Sequence, residues 1–105
     1  MGVSDAYRIK SPKVVSAHDC EHLEQLPNIG PVMAGDLRSL GIQHPSELTQ
    51  RDPFALYQAL CVHSGKRQDL CVLDTLMAAT DFMQGAAAAP WWAYTAQRKQ
   101  RYGLV

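Results

Sequence analysis

No apolar run in these 105 residues approaches the ~20 that a membrane-spanning helix needs. The opening residues MGVSDAYRIKSPK carry no apolar stretch of the kind a signal peptide requires. Cysteine is scarce: three residues, an odd number without framework spacing, argue against a disulfide scaffold and for a reducing compartment. A cytoplasmic protein is expected. Net charge is lacking too, since ten Lys and Arg balance ten Asp and Glu, whereas a dedicated nucleic-acid binder usually shows a basic excess. There is no P-loop and no dinucleotide fingerprint. No serine or cysteine has a base at a motif spacing, and the carboxylates scatter over helix faces expected to be exposed. Neither an enzyme nor a bound cofactor is expected. His18 and His22 flank Cys20, and Cys61-x-His63 stands with Cys71, but neither set has zinc spacing. Those cysteines read as small buried hydrophobes, and no metal is expected.

What the chain does have is one domain's worth of ordinary globular composition, 47% apolar. Its charge is uneven. Between His18 and Gln84 stand Asp19, Glu21, Glu24, Asp36, Glu47, Asp52, Asp69, Asp74 and Asp81, against Arg38, Arg51, Lys66 and Arg67. The flanks are basic, with Arg8, Lys10 and Lys13 before, and Arg98, Lys99 and Arg101 after. An acidic body with basic ends fits either electrostatic packing of the ends or a nucleic-acid role.

The stretch 23–41, LEQLPNIGPVMAGDLRSLG, reads as helix, tight reversal, helix. Asn28 and Gly30 are residue types that tolerate positive φ, and Pro31 suits a first helical position. Ser16-x-x-Asp19 resembles a capping box, so a first helix is expected from Ala17 to Leu26. Gly41 should end the second helix in a Schellman turn, with Ile42 against Leu37. Pro45 and Pro53 open a third and a fourth helix. A fifth runs over 69–84, apolar around much of its circumference and expected to be the most buried. Ala86 to Ala89 lead to Pro90, Trp91 and Trp92, and Thr95 should cap a last short helix.

The expected architecture is all-α: a tandem helix-hairpin-helix (SAM-like) five-helix domain over 16–85. A short extended arm precedes it at 1–15, and an aromatic, basic tail at 86–105 docks onto it. The two reversals would be 27–30 and 64–68. A helix start exposes unpaired N–H groups at the positive end of a dipole, where a phosphate can sit. The candidate nucleic-acid contacts are therefore Asn28, Ile29, Gly30, Val32 and Arg38 at the first reversal. Gly65, Lys66 and Arg67 follow at the second, and Arg98, Lys99 and Arg101 on the tail. Against this stand Pro31, which deletes a donor, and Asp36, which adds an acid. One of Trp91 and Trp92 should dock the tail while the other half-covers it; stacking on unpaired bases is the competing role.

LPNIGP at 26–31, DPFALYQ at 52–58, CVLD at 71–74 and PWWAYT at 90–95 together resemble the small bacterial pathogenicity-locus family, some of whose members are labelled mitomycin-resistance proteins. The first half is also similar to the C-terminal domain of the competence regulator TfoX. The resemblance implies a helix-hairpin-helix domain without a defined activity. Such hairpins generally grip the DNA backbone without reading bases, which makes double-stranded DNA the expected partner. A protein partner, or a second copy of the chain, is the alternative; no membrane association is expected.

Overall fold

The computed structural model describes residues 13–103. Most of the expected arm, residues 1–12, lies outside them. Four α-helices carry the described chain: α1 (Pro31–Ser39), α2 (Pro53–Ser64), α3 (Leu70–Met83) and α4 (Thr95–Tyr102). Four 3₁₀ turns link or precede them, at Ala17–Asp19, Leu23–Gln25, Pro45–Gln50 and Trp91–Tyr94. Among the described residues there is no strand, so the fold is all-α.

Helix α3 is the axis of the molecule. Leu73, Leu76, Met77, Ala79 and Phe82 are buried on it, and so are Asp74 and Thr80 on its other faces. Helix α2, the Pro45–Gln50 turn and the Trp91–Tyr94 turn all pack against it. Leu23, Leu26, Ile29, Ala34 and Leu37 bring the first hairpin into the same core, each with no exposed surface. The expectation that this helix would be the most buried is met.

The continuous helix expected over 17–26 is absent. Ser16 does start a turn, its hydroxyl accepting from the His18 N–H, but the turn stops at Cys20, whose backbone is extended. The cause is a side chain. Gln25 Oε1 accepts from both the Glu21 and His22 N–H groups, at 2.8 and 2.9 Å. Those donors are thereby captured locally, and the side chain competes with the helical ladder. The chain therefore enters its first reversal from a single 3₁₀ turn. The expected third helix is likewise a 3₁₀ turn, capped by His44 and Glu47.

The ending of α1 matches its expectation. Gly41 adopts φ +92°, its N–H reaches Arg38 O, and the Ile42 N–H reaches Leu37 O at 3.1 Å, the two bonds of a Schellman turn. Thr95 has a different role from the one expected of it. Its hydroxyl donates to Asp74 Oδ2 at 2.9 Å instead of capping α4.

Candidate nucleic-acid interface

The first reversal is made by one left-handed residue. Asn28 takes φ +67°, which asparagine tolerates better than most side chains. Its Nδ2 donates to Ala89 O at 2.8 Å, tying the turn to the segment before Pro90. Gly30, expected to share the left-handed role, does not: its φ of −101° and ψ of −175° are extended, and it is the N-cap of α1. It carries no side chain to cap with, and Pro31 at the first helical position has no N–H to offer.

The consequence is an open helix start. Ile29 N–H turns back onto Leu26 O, and Ala34 N–H is taken by Gly30 O. Among the described residues, no acceptor faces the N–H groups of Gly30, Val32 or Met33. Helices α2 and α3 are each closed by the acid that precedes them, whereas α4, behind Tyr94, has no side-chain cap either. Asp52 accepts from Ala55 N–H at the start of α2, and Asp69 from Cys71 N–H at the start of α3, which holds the Asp69 carboxyl below the usual carboxylate range.

The second reversal has the opposite character. Gly65 takes φ +75°, and its N–H, with that of Lys66, closes the end of α2 onto Val62 O and Cys61 O. The Gln68 N–H donates to Cys61 Sγ at 3.3 Å. With Asp69 capping α3, this turn offers cations rather than amides. Lys66 and Arg67 are exposed there, Arg67 beside the Tyr57 hydroxyl. The expectation of two reversals that both present free amides is thus corrected: only the first does.

The basic candidates divide in the same way. Arg38 is exposed but committed, its guanidinium pairing both Glu24 oxygens at 2.8 Å. That pairing holds the Glu24 carboxyl below its ordinary range and straps the last turn of α1 to the turn before the reversal. Lys99 and Arg101 project from α4, Arg101 with its guanidinium 5.4 Å from the ring centre of Tyr102.

Arg98 does not project. It is 5% exposed, and its Nε donates to Asp74 Oδ1 at 2.6 Å, so the reading of Arg98 as a phosphate contact is corrected. Asp74 in turn departs from the expectation that the acids lie on exposed faces: it has no exposed surface. Buried charges are retained when paired, and the run LCVLDTLMAATDFM holds two acids, Asp74 and Asp81, of which only Asp74 is buried. Asp74, Arg98 and Thr95 together dock α4 onto α3.

The aromatic pair does not divide into one docked and one half-covering ring, since neither tryptophan is buried. Trp91 is half-buried, while Trp92 stands 64% exposed with its ring edge-on to Trp91, 5.6 Å between centres.

An all-α domain whose first turn exposes a helix start is the class these features define. A family model described as Pathogenicity locus matches residues 16–100, from the first 3₁₀ turn into α4, and the chain belongs to that family. The curated relative "Mitomycin resistance protein McrB" of Streptomyces lavendulae is 38% identical over 86 residues, 82% of each chain. No solved structure matches the chain.

Proposed function

We propose that this chain is a non-enzymatic helix-hairpin-helix module that holds the backbone of double-stranded DNA without reading its bases. The observation that carries this reading is the open start of α1, where, among the described residues, no acceptor faces the Gly30, Val32 and Met33 N–H groups at the positive end of a nine-residue helix. A phosphate oxygen supplies the missing acceptor and gains from the dipole. Lys66, Arg67, Lys99 and Arg101 are the exposed cations that would add screened, sequence-independent attraction. Arg38 is a strut in this scheme, because its charge is already met by Glu24.

The test is binding of labelled duplexes of unrelated sequence at low ionic strength. The reading requires similar affinity for each and a steep loss with added salt. No binding at low salt ends it. One observation favours a second reading, a protein-interaction module: the exposure of Trp92 beside Trp91. Trp92→Ala separates the two, since it would abolish a protein contact centred there and leave duplex binding intact.

A further inference from the structure

Three backbone carbonyls of the first reversal converge on one cation. The Lys13 ammonium donates to Glu24 O at 2.9 Å, Leu26 O at 2.7 Å and Ile29 O at 2.5 Å. In sequence these acceptors are spread over 24–29; the 3₁₀ turn and the left-handed Asn28 fold them around a single point. Lysine meets them well, since an ammonium has three donors and no acceptor. Left without it, three carbonyls would aim their negative ends at one another, in part withdrawn from water.

We infer that this turn is a monovalent-cation site whose occupant is built into the chain, and that a free cation of ammonium's size, potassium or ammonium itself, takes the place when Lys13 is removed. Ligand type and charge select the class. Magnesium needs about six oxygens at roughly 2.0–2.1 Å, and calcium takes about six to eight at ~2.3–2.6 Å with carboxylates among them. Three neutral backbone carbonyls bring none of the carboxylate charge that both of these ions draw on. Among the described residues, the Glu24 carboxylate is turned away to Arg38. Lys13 also lies before the residues that the family model matches, whereas all three carbonyls lie within them. The inference stands whether or not the hairpin binds DNA, and its test reads stability alone.

The test compares the full chain with Lys13→Met, which keeps an unbranched stem and loses the ammonium. Thermal unfolding is followed in potassium, ammonium and choline chloride at one ionic strength. The original chain should melt at the same temperature in all three. The variant should melt lower in choline and recover at least half of the loss in potassium or ammonium. If the variant is unfolded in choline, adding potassium or ammonium chloride should restore its helical circular dichroism. Three results overturn the inference: a variant as stable as the original in choline, a loss that neither cation reverses, or an original chain that gains as much from potassium as the variant does.

Discussion

Gly30→Asp separates the amides of the first hairpin from everything else in the molecule. Gly30 already has the extended backbone of an N-cap, and a Cβ added there meets nothing within 4 Å. Aspartate at this position accepts from the open Val32 and Met33 N–H groups and sets a negative charge at the positive end of α1. Replacing glycine by a capping residue is worth a few tenths of a kcal/mol, and the charge about 0.3–1 kcal/mol more. The variant should therefore be more stable by roughly 0.5–1 kcal/mol, a rise of a few degrees in melting temperature for a chain this size. DNA binding should move the other way. Losing even one hydrogen bond to a charged phosphate costs about 1.5–3 kcal/mol, a roughly ten- to hundred-fold weakening before repulsion by the new carboxylate is added. Fluorescence anisotropy with a labelled duplex, paired with thermal melts, reads both effects in one variant. Gly30→Ser controls for charge, capping the amides with a neutral oxygen and weakening binding less. A Gly30→Asp protein that binds DNA as tightly as the original refutes the reasoning, because the amides would then be doing nothing.

Four other perturbations follow from the same geometry. Arg98→Ala strands the buried Asp74 carboxylate, so a loss of about 3–5 kcal/mol is expected in chemical denaturation; adding Asp74→Leu should return much of it. Lys66→Glu should weaken binding to every duplex alike and reduce the slope of log affinity against log salt, by about one unit for each phosphate the side chain no longer neutralises. Tyr102→Phe removes a buried hydroxyl that has no partner among the described residues while keeping the ring stacked 5.0 Å from Phe54, and should stabilise the fold by up to ~1 kcal/mol. The Glu24 carboxyl is lowered in the folded state by Arg38, so its contribution is present above the ordinary carboxylate range and is lost as pH falls through the lowered value. With Arg38 40% exposed, that contribution is below about 1 kcal/mol, and Glu24→Gln should flatten the acid limb of the stability profile by no more than this.

The helices most legible in the sequence are those with punctuation at both ends. Pro53 behind Asp52 and Gly65 behind Ser64 bound α2, and Gly41 with Ile42 ends α1, because proline and glycine act through local backbone geometry. The expected first helix fails because Gln25 is an ordinary helix former by propensity. Only its position, three and four residues beyond two free N–H groups, lets it take them. Arg98 misleads for a related reason. In QRKQRY it looks like one more surface base, and its partner Asp74 lies 24 residues away on another helix, a separation that no local pattern reports. The candidate site is legible in its residue types but not in its donors. Asn28 and Gly30 both suggest a tight turn. Which of them is left-handed depends on how the turn folds, and so does the placing of Lys13 on the carbonyl side while the amide side stays open.

The amides themselves give the most direct test. In a ¹⁵N–¹H spectrum titrated with a short unlabelled duplex at low salt, the Gly30, Val32 and Met33 signals should shift together and saturate. Those of Gly65 and Lys66, already bonded to the end of α2, should shift far less. If the first three stay still while the duplex is bound elsewhere, or if no signal moves at all, the open start of α1 is not where this protein holds DNA.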